Sequence, residues 1–441
     1  APEHLPELIH KIQERLTFDI DDEQINFDRQ MILFKILIDG VNEKDNLLSA
    51  TFYELSKVFL DFSFRHTKGG RNHSFYMYQY PVPNTPTIQL FRKNVWDAIQ
   101  TNFQINPNKS FELLQSYSHI QLDVSKELMQ YDVPMLVGVI EKQLTPSSFE
   151  HCKYVQDQVR WCKRNSVFHS SFPELLNKFR NSTYEMFLKI DWDRFRDKEM
   201  YEFDDYREYE KLKEAEIRNS FIFNDKEQVE EFYNIFVYLK KLTKNDWNYN
   251  TTLDYIIDEN CRKNFKIGCA FLHLVIENCN EINYVPRLVF RNHLRESQNA
   301  EIVWNIIEQK DFIHKPLWKL SFYDYLDDSL LSSKYVQLLV NTVSSMNDSY
   351  TIHFDRLQRF LNIEPNLFQI ILKTIVEKNE KEGTKLQVWM DFFSEHFDKL
   401  GNDIELIKKA YIQQDKIHNH FDFEGKGMLN ILKKDYNFLL E

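Results

Sequence analysis

The chain has 441 residues, enough for several domains and an ample hydrophobic core, and only 9 of them are Gly and 12 Pro, which disfavours a turn-dense sandwich or barrel and points to helices. Asp and Glu (67) outnumber Lys and Arg (55), so the net charge is −12 and the whole-body electrostatic footprint of a DNA- or RNA-binding protein is missing. Five cysteines, an odd number without CxxC spacing, count against a disulfide framework or a zinc ribbon and are expected of a reducing cytoplasm.

The first segment, "HLPELIHKIQERL", puts Leu5, Leu8, Ile9, Ile12 and Leu16 on one stripe and predicts an amphipathic helix that needs a partner. "APEHLPELIH" lacks the charged start and apolar core of a secretory signal, and also an initiator Met, so the chain is expected to be processed or a piece of something longer. No apolar run approaches the roughly 20 residues of a membrane span, so no membrane is expected. Next come two aromatic-rich runs with partial alternation (Phe62 and Phe64; Phe75, Tyr76, Tyr78 and Tyr80) around "KGGRN", whose glycines can take the φ > 0 values of a tight turn. They predict a β-hairpin inside a helical protein. Prolines 81, 83 and 86 end the pairing, and "IQLFRKNVWDAIQTNF" resumes a helix with Leu90, Val95, Trp96 and Ile99 as its apolar side.

Further along, His151, Cys152 and Cys162 could supply soft metal ligands, but incidental thiols on a packed helix are the plainer reading. Residues 191–231 hold 15 acidic and 8 basic side chains. With Glu208 and Lys211, and Glu210 and Lys213, at i,i+3, they predict a long solvated helix, with an acidic docking surface as the alternative. Apolar stripes then recur at Val336, Leu339, Val340 and Val343, at Phe368, Ile371, Leu372 and Ile375, and at Leu386, Trp389, Met390, Phe393 and Phe397. Helix starts near 332, 352, 367, 384 and 403 imply pairs of roughly 35 residues, the range of TPR-like and HEAT-like units. "HFDRLQRFLNIEPNLF" from His353 and "HFDFEGKGMLNILKKDYNFL" from His420 share a weak frame, without the strict TPR consensus.

Catalytic signatures are missing. "KGGRNHS" lacks the Lys-Ser/Thr pair and the following helix signal of a phosphate loop. His418, Asn419 and His420 spell a nuclease motif but fall in a polar break rather than on a ribbon and helix around a metal. No catalytic residue, metal or cofactor is therefore expected; the chain reads as a binding or scaffold region rather than an enzyme.

The run "FLDFSFRHTKGGRNHSFYMYQYPVPNTPTIQLFRKNVWDAI", residues 59–99, resembles a segment beyond the ATPase core of large bacterial STAND NTPases, the NLR-like signalling ATPases that include antiviral defence proteins. "HFDFEGKGMLNILKKDYNFLLE" is similar to repeats in their helical tails. The resemblance implies a multidomain parent with an effector, a P-loop ATPase and a C-terminal solenoid that recognises a phage protein and releases oligomerisation. Neither ATPase nor effector lies in these residues, so this chain would be the cytoplasmic sensor part, and no family catalytic residue carries over.

The expected fold is all-α: an irregular TPR/HEAT-like solenoid with a small β-hairpin insertion near its N-terminus. Its expected parts are a helical segment over 1–60, the hairpin and following helix over 61–100, and a helical-repeat array over 101–441. Across 61–100 there are five Lys/Arg against two Asp/Glu, a local +3. Arg65, His66, Lys68, Arg71 and His73 crowd the turn and are the expected contact with an acidic protein surface, in a target or in the parent's ATPase core. A turn that only caps the first helices, or a stand-alone scaffold that assembles host proteins, remains the alternative.

Overall fold

A computed structural model of the chain describes residue 7 and residues 28–42, 46–69, 75–117, 125–193, 206–243, 246–279, 284–346, 350–389 and 403–417. The chain divides into two compact units, residues 1–186 and 187–441. The described elements are mostly helical, and no described helix is long and apolar enough to cross a membrane. The expected first helix, and the segment from His418 that includes the second copy of the weak repeat, lie outside the described residues.

In the first unit, α1 (Asp28–Asn42) and α2 (Asn46–Phe59) lead into the antiparallel hairpin β1 (Ser63–Gly69) and β2 (Phe75–Pro81). There follow α3 (Pro86–Asn102), α4 (Pro107–Ser116), α5 (Lys126–Gln143), α6 (Phe149–Arg164) and α7 (Phe172–Lys178), and the division between the units falls within α8 (Ser182–Ile190). Capping residues mark the starts. Thr85 and Asn106 accept hydrogen bonds from the third residues of α3 and α4 ahead of a Pro at the first helical position, and Ser125 and Ser148 accept from the third residues of α5 and α6, which start without Pro. α1 packs on α2 and α3, α2 on α3 and α4, α3 on α4 and α5, and α6 on α7. Ile88, Phe91, Val95, Trp96 and Ile99 form the buried side of α3. Leu90, expected among them, is 58% exposed, because its position lies off that stripe.

In the second unit, α9 (Tyr206–Ser220), α10 (Lys226–Thr243), α11 (Asp246–Lys263), α12 (Phe265–Glu277), α13 (Arg287–His293), α14 (Ser297–Glu308), α15 (Lys315–Tyr325) and α16 (Ser333–Ser345) follow one another through short breaks. Then come β3 (Thr351–His353), the single turn α17 (Phe354–Leu357), α18 (Leu367–Glu382), β4 (Gln387–Trp389) and α19 (Ile404–Ile417). Packing is local in sequence. α9 meets α11, α10 meets α12, α11 meets α12 and α13, α12 meets α14, α13 meets α15, α15 meets α16, α16 meets α18, and α18 meets α19. Where α12 meets α11, a Cβ on Gly268 would stand 2.1 Å from Cys261 Sγ and 2.8 Å from its Cα, so only glycine lets α12 approach α11 this closely.

Three expectations are corrected here. α9 is not solvated all round: Tyr209, Lys213 and Ile217 are buried, and Lys213 donates to Glu216 and to the Leu188 carbonyl rather than pairing outward with Glu210. The helix expected to start near 352 begins as β3. Of the helix expected from Leu386, Met390, Phe393 and Phe397 lie outside the described residues, and the described residues form β4, which pairs in parallel with β3 through Ile352 and Val388. Both of these residues are buried, and the strand ending is prepared by Gly383, whose φ of 68° ends α18, and by Asn379. The Asn379 side chain accepts from the Leu386 N–H and donates to its carbonyl, holding the chain extended where helix propensity alone would let it coil.

Candidate functional site

The hairpin forms where the two aromatic runs predict it. Its register places Arg65 opposite Gln79, His66 opposite Tyr78 and Lys68 opposite Tyr76, so three of the five basic residues expected at the contact come together on β1. Arg71 and His73 lie between the strands, outside the described residues. From Ser63 to Pro81 the sequence has three Lys/Arg and no Asp or Glu.

The foot of the hairpin is fixed by a residue that sequence reasoning counted only as surface charge. Arg92 of α3 is 1% exposed. Its Nε donates to both oxygens of Asp132 on α5 at 3.1 and 3.0 Å, its Nη2 donates to Asp132 and to the Leu60 carbonyl, and its Nη1 donates to the carbonyls of Phe59 and Asp61. All five N–H groups of the guanidinium are thereby used. Three successive carbonyls, that of the last residue of α2 and those of the two residues after it, are satisfied by one side chain. Burial opposes the charge on Arg92, but the Asp132 carboxylate outweighs it and holds the guanidinium more firmly protonated than usual.

Tyr117 completes the foot by donating to Asp132, and the guanidinium lies 4.7 Å over the ring of Phe62, which is fully buried against Tyr117 and Trp161. The Val82 N–H donates to the Phe62 carbonyl at 2.7 Å, closing the base, and Val82 is buried. Thr85 then starts α3. The chain therefore enters and leaves the hairpin from fixed points. The local +3 is also reassigned: Arg92 is neutralised in the core and Lys93 lies 3.3 Å from Asp97, so the net positive charge belongs to the hairpin itself. A cue existed, since Arg92 sits on the stripe of Ile88, Val95 and Ile99, where an arginine is buried only with partners.

None of the family models, curated proteins or solved structures compared with this chain matches it.

His151, Cys152 and Cys162 lie on α6. The Thr145 N–H donates to His151 Nδ1, the Cys152 thiol donates to the Pro146 carbonyl, and burial pushes the Cys162 thiol up to about 12. Among the described residues no group of three or more His, Cys, Asp and Glu is arranged to hold a metal ion.

A second polar cluster was missed altogether. Asp254 and Asp258, one turn apart on α11, grip the two ends of α13: Asp254 accepts from the Leu288 N–H in its first turn, and Asp258 accepts from Asn292 and bonds to His293 in its last. Tyr284 also donates to Asp254 at 2.9 Å, and Arg218 donates to Asp258 at 2.7 Å. Burial pushes Asp254 up to about 7 against these hydrogen bonds, whereas at Asp258 the donors from His293, Asn292 and Arg218 outweigh burial and hold it below the usual carboxylate range. Diverging carboxyl groups are one mark of acid–base sites, but here their bonding capacity is used on α13, Tyr284 and Arg218, so the arrangement is a helix clamp. An open groove of about 530 Å³ between α12 and α14 is lined by Cys269, His273, Ile302, Asn305, Ile306, Glu308 and Gln309.

Proposed function

We propose that this chain is the protein-recognition region of a STAND-type signalling ATPase: an irregular helical-repeat solenoid of TPR or HEAT kind that binds a protein partner, a phage protein in the antiviral setting. On this reading its occupancy controls oligomerisation of effector domains outside these residues, and it neither catalyses a reaction nor holds a cofactor. Arg65, His66, Lys68, Arg71 and His73 form a basic contact for an acidic surface of the target or of the parent's ATPase core, in the cytoplasm and away from membranes and nucleic acid.

The observation that carries the reading is the packing of each helix on the next or next but one, the way repeat arrays build an extended binding surface from successive short units. The parentage rests on the resemblance over residues 59–99. Two experiments test it. The reading frame upstream of Ala1 is expected to encode a P-loop ATPase and an effector; a start codon directly before Ala1 contradicts the parentage. Purified chain is expected to bind one phage-encoded protein out of a panel, and a folded chain that binds none contradicts the recognition role.

A further inference from the structure

α13 is a helix of seven residues, and Pro286 before it offers no side-chain cap. A helix this short is marginal alone and is held by what it packs on. Val289 and Phe290 are its buried apolar residues, with the Phe290 ring 6.2 Å from those of Trp318 and Phe322 on α15. Polar bonds to α11 supply the rest, and they are unequal at its two ends.

At the C-terminal end the Asp258 charge is compensated: Arg218 of α9 donates at 2.7 Å, His293 lies at 3.0 Å and Asn292 donates at 2.9 Å. At the N-terminal end Asp254 accepts from two neutral groups, the Tyr284 hydroxyl at 2.9 Å and the Leu288 N–H at 3.1 Å. Both bonds end on Oδ1, so a proton on Oδ2 leaves them in place and removes only the longer 3.3 Å contact with the Leu288 N–H. Without that proton a carboxylate stands in a partly buried site, one turn from the Asp258 charge. Burial, the largest influence, and Asp258 push the Asp254 carboxyl up, against the Tyr284 and Leu288 bonds and the Arg287 charge from α13. Arg218 of α9 faces Asp258, Glu259 and Glu214, and α12 brings the Cys269 thiol to Cys261.

We infer that α13 is a proton-operated latch: a proton on Asp254 keeps the helix seated on α11, and its loss loosens the N-terminal end of α13 while Asp258 retains the other end. Tyr284 carries the effect further, because its hydroxyl bonds Asp254 while its carbonyl accepts from the Trp318 indole of α15 at 2.7 Å. One proton thus sets how firmly α11 is tied to α15. The latch goes beyond the recognition reading and holds whichever partner the chain binds. The seated carboxyl titrates at about 7 and an unseated one near the ordinary 3.8, so its seating weakens as pH rises from 4 and levels off above 7.

The test is hydrogen exchange of the full chain at pH 6 and 8, corrected for the intrinsic pH dependence of exchange and read over 284–293 with α18 as internal reference. Local opening at α13 is expected to be about tenfold more frequent at pH 8 than at pH 6, with α18 unchanged. A histidine at the other end of the clamp also changes charge near neutrality. Asp254→Asn is therefore expected to flatten the response and His293→Asn to keep it. Equal protection at the two pH values, a change shared by α18, or a response that survives Asp254→Asn would each overturn the latch. Should Asp254→Asn fail to fold, the His293→Asn chain decides, and a response lost there overturns the latch as well.

Discussion

Arg92 shows how one side chain decides where a functional element stands. It is a buried charge with all its donors used, so removing it strands both the Asp132 carboxylate and the carbonyls of residues 59–61. Arg92→Met is expected to destabilise the chain by about 3–5 kcal/mol in chemical denaturation, and Arg92→Met with Asp132→Leu to recover much of that loss, since it leaves no unpaired charge. A double variant no better than the single one would contradict the assignment. Asp254 gives a pH signature of known sign. Its folded value lies near 7 against an ordinary 3.8, so its contribution is fully present below about pH 4 and is lost as pH rises through 7. Asp254→Asn keeps an oxygen for Tyr284 and Leu288 without the charge. It is expected to be close to wild type in stability at pH 4 and more stable by about 1–4 kcal/mol at pH 8, measured by denaturation at both values; a constant difference contradicts the burial cause.

Elements differ in how plainly the sequence foretells them. The hairpin was legible because its signals are local: alternating aromatics, a glycine turn and a proline stop within some twenty residues. α16 and α18 were legible because Val336, Leu339 and Val343, and then Phe368, Ile371, Leu372 and Ile375, keep the helical period and are buried. The pairing of β3 with β4 was hidden, since it joins Ile352 to Val388 across a whole helix and depends on Asn379 holding Leu386 extended. Arg92 and the two aspartates of α11 were hidden for another reason: a charge count treats every charge as solvated. The close approach of α12 to α11 gives an element-scale prediction. Gly268→Ala is expected to cost about 1–3 kcal/mol as overpacking, read from the denaturation midpoint. Adding Cys261→Ala should relieve the sulfur contact but not the 2.8 Å approach to the backbone of residue 261, and so restore only part of the loss.

At the scale of the molecule, the helices described in each unit pack mainly on the next or next but one in sequence, and the hairpin from Ser63 to Pro81, with three Lys/Arg and no Asp or Glu, stands in an acidic chain. Packing between near neighbours spreads stability over many small interfaces, while charge concentrated at a ribbon with fixed feet favours association with an acidic partner. The central claim is that this chain recognises a protein through that ribbon. The most direct measurement is the affinity of the purified chain for the phage-encoded protein it selects, with Lys68→Glu/Arg71→Glu run alongside. The account predicts a folded double variant whose thermal midpoint stays within a few degrees of wild type and whose affinity is reduced about tenfold or more with a weakened salt dependence; unchanged affinity in the folded double variant would contradict it.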